Sequence, residues 1–328
     1  MYKQITDNVF SIYVELPRSP LKNTNAYLIK GKERNLLIDT GYRTQICMDS
    51  LTAGLRELDV EMGDTDIFLT HFHPDHTGLV PDLVAPDTRV FMSQEDTVRQ
   101  LFTRDKATAD SLTFQTQRAN GFTDEQIARS PQMSSRSLGP GDFEDFTVIG
   151  EGEELHYGGH RLQVVAVPGH TPGQLVLYDA ENKLMFLGDH VLFEITPNIQ
   201  RWIRVKDALG DYVQSLLKIR DYDVELALPG HRGRKGKLSA RVDKLVEHHG
   251  ARVGEAVDMV DRYPGQTAYQ LASHMSWNIR YSGDWEDFPM QQRVFAVGET
   301  RAHLEYLMHR DRVLREERDG VQYYYPGK

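Results

Sequence analysis

The feature that most constrains this chain is the stretch at residues 70–78, with the sequence THFHPDHTG. It follows a short apolar run, IFL, which is typical of a buried strand. Side chains two apart in an extended segment share a face, so His71 and His73 are expected to point the same way. Pro74, which follows His73, predicts a turn, and Asp75 and His76 are expected to project from that turn. Three imidazoles and a carboxylate exceed what one tetrahedral zinc normally takes from a single loop. The motif therefore predicts a metal site, and about half of its ligands.

A second pattern repeats further along the chain, where an apolar strand ends in a glycine and then a metal-binding type of side chain. The pattern ends in His170, in Asp189 and in His231. Glycine beside each of them lets the backbone approach a neighbour closely, because it has no Cβ atom. One such histidine would mean little, but three matching strand ends predict that these side chains meet the first loop.

The order of predicted elements gives the fold class and the domain organisation. The first part of the chain is rich in short strands, and the segment at about 94–139 is polar and helix-prone. We interpret that segment as a helical insertion that roofs the site. Strands resume after it and give way to helices near residue 238. We therefore expect a catalytic domain at 1–236 and a separate C-terminal domain at 237–328.

Composition excludes several classes of protein. The 328 residues are 40% hydrophobic and 26% charged, as in an ordinary globular protein, and the formal net charge is -10. That charge argues against a broad nucleic-acid or anionic-membrane surface. The chain begins without the basic and apolar segments of a signal peptide and contains no run of transmembrane length, so we expect a cytoplasmic protein with no membrane contact. Cys47 is the only cysteine, which excludes an internal disulfide and a thiolate-rich metal site.

Taken together, these residues and their order resemble the metallo-β-lactamase fold superfamily over roughly the first 235 residues, and its glyoxalase II-like branch in particular. The resemblance implies an α/β fold: a four-layer αβ/βα sandwich in which two mixed sheets pack together and helices cover the outside. It also assigns two sets of three metal ligands and one shared carboxylate, namely His71, His73 and His170; Asp75, His76 and His231; and Asp189.

The same resemblance implies the chemistry. Two Zn²⁺ per chain would ready a metal-bridging hydroxide for attack, with iron or manganese as alternative metals, and Asp75 would also orient that hydroxide. Members that reduce oxygen or nitric oxide at a di-iron centre generally carry Glu at the position of His73, so this chain resembles a hydrolase. True β-lactamases usually lack the carboxylate that Asp189 supplies.

The substrate is left open, because a fold alone does not choose it. The leading hypothesis is hydrolysis of a small thioester, ester or lactone. The second is an endoribonuclease or phosphodiesterase of the same fold, and the third is a mononuclear iron persulfide dioxygenase.

The last 90 or so residues resemble the small winged-helix-like tail of some superfamily hydrolases. Helical patterns begin near residues 238, 266 and 292, and a strand pair turns at Asp319-Gly320. Helix-turn-helix shape suggests nucleic acid, but from residue 238 onward about 12 basic residues face about 14 acidic ones. A packing module, or one that forms a homodimer, is the favoured interpretation, with a small molecule as the substrate.

Further side chains are expected at the rim of the site or behind it. The candidates for substrate binding are Asn25, Tyr42, Phe193, Arg201 and Trp202. Among these, Arg201 suits a carboxylate or phosphate, because a guanidinium binds either group bidentately. His190 is expected to support the neighbouring aspartate without binding metal itself. An aromatic group of Trp277, Tyr281 and Trp285 is expected to pack inside the C-terminal domain.

Overall fold

In the computed structural model, which describes residues 1–102, 104–130, 135–277 and 284–328, the first β-sheet has seven strands in chain order. The strands are β1 (Tyr2–Gln4), β2 (Val9–Glu15), β3 (Asn23–Ile29), β4 (Asn35–Ile38), β5 (Thr65–Phe68), β6 (Val90–Met92) and β7 (Thr147–Val148). Strands β1 to β4 pair antiparallel, and the pairs from β4 to β7 are parallel. The sheet is therefore mixed, as predicted.

The second sheet has five strands in the order β12-β11-β10-β9-β8. They are β8 (Glu154–Tyr157), β9 (His160–Ala166), β10 (Leu175–Asp179), β11 (Leu184–Gly188) and β12 (Leu226–Pro229). The pairs from β8 to β11 are antiparallel, and β11 and β12 run parallel. Parallel neighbours end at the same edge of a sheet, so the residues that follow β11 and β12 lie side by side.

One apolar core joins the two sheets. Phe68 and Phe91 from the first sheet belong to the same buried cluster as Leu177 and Phe186 from the second. Neighbouring residues of each strand point to the opposite face of the sheet. Met185, next to Phe186, is buried on that outer face. Strands buried on both faces require a covering layer on each side. The predicted four-layer sandwich is confirmed.

Helices provide the outer layers and the second compact unit. They are α1 (Gln45–Glu57), α2 (Pro74–Thr77), α3 (Val80–Leu83), α4 (Gln94–Phe102), α5 (Lys106–Ala119), α6 (Asp124–Arg129), α7 (Ser135–Leu138), α8 (Ala208–Arg220), α9 (Leu238–Arg262), α10 (Ala268–His274) and α11 (Met290–Met308), with short 3₁₀ turns at Met62–Asp64 and Trp285–Asp287. Helix α1 lies against β2 at Gly54, where an added Cβ would come within 2.5 Å of Ile12 Cγ2. Among the described helices, none combines the length and apolar character needed to cross a bilayer.

The chain forms two compact units. The first comprises Met1–Arg104, Ser134–Pro197 and Ser215–Val242, and contains both large sheets. The second comprises Asp105–Met133, Asn198–Gln214 and Asp243–Lys328. The second unit therefore includes two segments that precede residue 237. The division into a catalytic domain at 1–236 and a C-terminal domain at 237–328 stays a prediction.

The second unit is built from helices and one hairpin. Strands β13 (Val313–Arg318) and β14 (Val321–Pro326) pair antiparallel around Asp319 and Gly320, which both have positive φ, 51° and 76°. That turn is the one predicted from the sequence. Tyr324 on β14 joins a buried cluster with α10 and α11. Trp285 packs edge-on against Tyr269, 5.6 Å between ring centroids, while Tyr281 lies outside the described residues.

The helical character predicted for residues 94–139 is also present in the described part of that segment. It contains α4 to α7, and α6 begins at a capping box between Thr123 and Gln126. Reciprocal hydrogen bonds of this kind satisfy backbone donors that the first helical turn leaves without partners.

Candidate metal centre

The histidine loop has the local structure expected from its sequence. Strand β5 ends at Phe68, and the single turn of α2 begins at Pro74 with His73 as its N-cap. Proline fits the first helical position, because that position has no intrahelical partner for an N–H group. Asp75 and His76 therefore project from the helical turn, whereas His71 precedes it.

The other three candidate ligands follow strands of the second sheet. His170 comes four residues after β9, Asp189 directly follows β11, and His231 follows β12 by two residues. The parallel pairing of β11 with β12 places Asp189 and His231 at one edge. Strand ends of both sheets therefore supply the site.

The first group of candidate ligands is His71, His73 and His170. Nδ1 of His73 lies 3.0 Å from Nε2 of His71 and 3.0 Å from Nε2 of His170. The three ligand atoms lie within 4.8 Å of one another, as do those of two further groups that involve Asp75, His76, Asp189 and His231. The sequence thus predicted which side chains lie together.

The second group forms around His231. Its Nε2 atom lies 3.3 Å from Nε2 of His76 and 3.4 Å from an oxygen of Asp75. Asp189 lies between the groups: its carboxylate is 3.2 Å from His231, 3.6 Å from His76 and 3.7 Å from His170. That position suits a carboxylate shared by two cations.

The outward nitrogens of three imidazoles are held by the protein. Nδ1 of His76 is 2.8 Å from Oδ2 of Asp39, Nδ1 of His231 is 2.6 Å from the carbonyl oxygen of Asn23, and Nδ1 of His71 is 3.0 Å from Oγ1 of Thr70. A carboxylate or carbonyl at Nδ1 keeps a proton there, so Nε2 is the ring nitrogen of His76 and of His231 that faces the site.

These contacts test whether the side chains fit a metal. Nδ1 of His73 faces two other ring nitrogens at 3.0 Å, and Oδ1 of Asp189 is buried without a hydrogen-bond partner among the described residues. Buried polar atoms normally have partners. Imidazole nitrogens and carboxylate oxygens are ligands that zinc accepts. The residues therefore fit a site for divalent metal.

The pKa values of His71, His73 and Asp75 agree with this fit. Burial and the neighbouring histidines lower the pKa of His71 well below its usual value. Burial and His170 likewise lower that of His73 to about 3, although Asp75 and Asp189 raise it, so both rings stay neutral. For Asp75, burial raises the pKa, but contacts with His231 and His76 outweigh it and lower the pKa to about 2. Neutral imidazole and ionised carboxylate are the forms that bind metal. Burial lowers the pKa of His76 and of His231, but Asp39 beside His76 and Asp189 beside His231 outweigh it and raise both, so protons compete with a metal for these two rings.

Two residues behind the ligands were not predicted. The carboxylate of Asp39, at the end of β4, accepts from the Thr70 amide at 2.9 Å, lies 2.8 Å from the Thr70 hydroxyl and holds His76. Its place at a strand end, like those of the ligands, was the only signal in the sequence.

Asp96 ties two ligand loops together. Its carboxylate accepts from the amide of Phe72 at 3.1 Å, the hydroxyl of Thr171 at 2.7 Å and the amide of Gly173 at 2.8 Å. Phe72 lies between two candidate ligands, and Thr171 follows a third. Burial raises the pKa of Asp96 to about 6 despite these bonds. No motif marks this residue in the sequence.

Asn25 and Phe193, two of the expected rim residues, are both buried in the first unit. Nδ2 of Asn25 donates to the carbonyls of Pro229 and Arg232 at 2.9 and 2.8 Å, and its Oδ1 accepts from Asn23. Asn25 therefore holds the loop of His231, a structural role that the prediction of substrate binding did not include. Phe193 is 8% exposed.

Tyr42, in contrast, is partly exposed near the ligands. Burial raises the pKa of its phenol, and the charges of Asp75 and Asp189 raise it further, so the hydroxyl stays protonated. Arg201 and Trp202 lie in the second unit, where Arg201 pairs with Glu305. Substrate contact by these three residues stays a prediction.

His190 is fully buried beside Asp189. Burial lowers its pKa to about 3, so the ring is neutral. With its amide in the orientation that satisfies both groups, Gln174 accepts from the backbone N–H of Asp189 at 3.0 Å and of His190 at 2.8 Å. Gln174 thereby fixes the backbone of Asp189. The supporting role of His190 stays a prediction.

The fold and this site define the class of protein. A family model described as "Metallo-beta-lactamase superfamily" matches residues 20–231, and a second, "Metallo-beta-lactamase-like, C-terminal domain", matches residues 286–326. The chain belongs to the metallo-β-lactamase superfamily, as predicted. The glyoxalase II-like branch and the winged-helix form of the tail stay predictions.

Individual relatives have low sequence identity to the chain. "Lactamase-like protein adaB" of Aspergillus niger is 26% identical over 261 residues, which are 79% of this chain and 66% of that protein, so the chain spans slightly less than two thirds of its length. "Acyl-coenzyme A thioesterase MBLAC2" of Homo sapiens is 25% identical, over 77% of this chain and 88% of that protein. The crystal structure of a metallo-beta-lactamase family protein from Thermus thermophilus superposes with a TM-score of 0.82 at 28% identity, covering 98% of this chain and all of that one.

Proposed function

We propose that this protein is a dinuclear, zinc-dependent hydrolase of small thioesters, with acyl-coenzyme A as the leading substrate class and esters or lactones as the alternatives. One observation carries the proposal: two groups of buried ligand atoms lie on either side of Asp189, whose carboxylate is within 3.7 Å of His170, His76 and His231. The similarity to a protein named as an acyl-coenzyme A thioesterase supports the choice of substrate.

The ligands would be divided as the sequence predicted. His71, His73 and His170 would hold one zinc, Asp75, His76 and His231 the other, and Asp189 both. When bound, zinc lowers the pKa of its water ligand to about 7 and polarises carbonyl oxygens, which is the chemistry that hydrolysis needs.

The protein's own residues position the reactants. Asp39 and the carbonyl of Asn23 hold the rings of His76 and His231, so that their Nε2 atoms keep one direction. Asp75 is ionised and lies 3.4 Å from His231, where it can accept a hydrogen bond from the attacking water or hydroxide and orient it. Tyr42 stays protonated near the carboxylates and can donate a hydrogen bond to a substrate oxygen.

A substrate panel tests the proposal. Protein purified with its own metal is assayed against acyl-coenzyme A thioesters, aryl thioesters, lactones and bis-p-nitrophenyl phosphate, and its metal content is measured. We expect thioester cleavage and about two zinc ions per chain. Cleavage of the phosphodiester alone would favour the endoribonuclease alternative, and one iron without zinc would favour the dioxygenase.

A pair of variants separates the centre from general damage. Asp75→Asn should remove turnover of every substrate that the wild-type protein cleaves. Asp223→Asn is the matched control, since its carboxylate is exposed and pairs with Lys183 on the surface. Equal loss in both variants would contradict the assignment of Asp75. The proposal also includes a cytoplasmic location and a homodimer.

A further inference from the structure

The second unit contains a group of arginines that the proposed chemistry does not use. Arg201, Arg301 and Arg315 all approach one carboxylate oxygen, Oε1 of Glu305, at 2.8, 3.5 and 3.7 Å. We call these four residues and Tyr324 the arginine cluster. Arg301 also donates from Nη1 to Oδ1 of Asn120 at 2.6 Å.

The arginine cluster has more positive than negative charge. Within the described part of the chain, the ion pairs of its three guanidinium groups all end on Glu305, which leaves two positive charges without a counter-charge. Arg301 is 4% exposed. Burial lowers its pKa, and the charges of Arg201 and Arg315 act in the same direction. A buried charge such as that of Arg301 is costly unless a partner compensates it.

Two buried polar atoms in the cluster point to the missing partner. Tyr324 is 0% exposed, and its hydroxyl has no hydrogen-bond partner among the described residues. Nε of Arg301 likewise has no hydrogen-bond acceptor there, because its approach to Glu305 is too long. The side chains of Arg201 and Arg315 are 30% and 32% exposed, so solvent reaches the cluster from their side.

We propose that Arg201, Arg301, Arg315 and Tyr324 form a binding site for a dianionic phosphate group. The guanidinium fork matches phosphate oxygens bidentately, and a phosphate monoester carries a charge of about -1.5 to -2 near pH 7. Two uncompensated positive charges match that dianion, whereas a carboxylate would neutralise only one. The Tyr324 hydroxyl would donate to a further phosphate oxygen.

The phosphate has two sources with the same chemistry. It is either part of a substrate, as in a coenzyme A thioester, or free inorganic phosphate. The first source rests on the proposed function, while binding of phosphate itself does not.

Binding is measured by calorimetry with inorganic phosphate and with adenosine 3′,5′-bisphosphate, on the metal-containing full-length protein. Arg315→Gln should weaken binding of at least one probe about tenfold or more, because a hydrogen bond between charged groups is lost. Tyr324→Phe should weaken it severalfold while the melting temperature stays unchanged or rises, since the hydroxyl has no partner in the described part of the protein. Arg318→Gln is the matched control: its exposed guanidinium bonds to Glu316 on the same hairpin, and binding should equal that of the wild-type protein.

The candidate metal centre also attracts phosphate, so metal content is measured in every variant. A loss of binding in Arg315→Gln at unchanged metal content reports the arginine cluster alone. Wild-type binding of both probes by Arg315→Gln and Tyr324→Phe would overturn the proposal, whether or not the protein cleaves thioesters.

Kinetics then identify the source. If the phosphate belongs to the substrate, Arg315→Gln raises KM for an acyl-coenzyme A and leaves KM for the matching acyl-pantetheine, which carries no phosphate, unchanged. If the ligand is free phosphate, KM for both thioesters stays at the wild-type value while phosphate binding falls. A chain that cleaves neither thioester would contradict the proposed function, and the calorimetry would still decide on the site.

Discussion

Two histidines buried in the second unit should make its stability depend on pH. His249 on α9 and His303 on α11 are 2% and 0% exposed, and Nδ1 of His249 lies 3.4 Å from Nε2 of His303. Nδ1 of His303 donates to the carbonyl of Glu299 at 2.7 Å, which places the lone pair of its Nε2 toward His249. Burial, together with the adjacent histidine in the case of His249, lowers the pKa of His249 to about 2; burial lowers that of His303 to about 4.

The magnitude follows from proton linkage. In the unfolded chain each histidine has a pKa of about 6.5 and gains a proton as the pH falls from 7 to 5, whereas the folded unit keeps both rings neutral. Each buried histidine therefore leaves the free energy of unfolding unchanged above the pKa of the unfolded chain and lowers it progressively below that pH. At pH 5 the pH lies about 1.5 units below the pKa of the unfolded histidines. The free energy of unfolding is therefore lower by about 2 kcal/mol for each histidine and by about 4 kcal/mol for the pair.

The His249→Leu variant isolates half of this effect. Nε2 of His249 is buried without a hydrogen-bond partner among the described residues, and its Nδ1 makes only the 3.4 Å contact with His303, so leucine should change the stability at pH 7 by no more than about 1 kcal/mol. Between pH 7 and pH 5 the variant should lose about 2 kcal/mol less than the wild-type protein. The assay is urea unfolding followed by tryptophan fluorescence. All three tryptophans, residues 202, 277 and 285, lie in segments of the second unit, so the signal reports that unit.

The control is His274→Leu, which changes an exposed histidine of the same unit. Its loss of stability on acidification should equal that of the wild-type protein. Histidines of the candidate metal centre are the same in all three proteins, so their contribution cancels in the comparison. An identical acid dependence for His249→Leu and the wild-type protein would refute the reasoning.

Three further outcomes are expected. Asp189→Asn should lower the metal content from about two ions per chain to one or fewer, because the shared carboxylate loses its charge; elemental analysis showing two ions would remove it from the centre. Asp96→Asn should lower the free energy of unfolding by about 2 kcal/mol and weaken metal retention, because it loses charge-assisted hydrogen bonds to two ligand loops. The control Glu95→Gln, at an exposed position, should change neither quantity. Calorimetry measures the stability, and elemental analysis measures the metal content. Burial raises the pKa of Asp66, but its hydrogen bonds to Arg34 and other groups outweigh burial and lower that pKa. The ionised Asp66 therefore stabilises the fold above about pH 3.8, and this stabilisation is lost as the pH falls below it. Acid unfolding of Asp66→Asn should depend less on pH than that of the wild-type protein, and equal dependence would contradict the assignment.

The sequence alone determined the parts of the site that local geometry controls. A strand followed by alternating histidines and a proline leaves few ways to arrange His71, His73, Asp75 and His76, because a strand has a period of two and proline starts a helical turn. The glycine-flanked side chains at later strand ends, such as His231, were visible for the same reason. The two-sheet architecture followed from the family resemblance carried by these residues.

Tertiary structure alone decided which residues support the ligands and which arginines meet. Asp39 and Asp96 reach the ligand loops only because separate strands and helices pack together, and no local period records such contacts. Arg201 and Arg315 lie more than 100 residues apart, yet both end on Glu305. Hydrogen bonds and ion pairs between distant segments depend on how the elements pack, and that packing is a property of the whole fold.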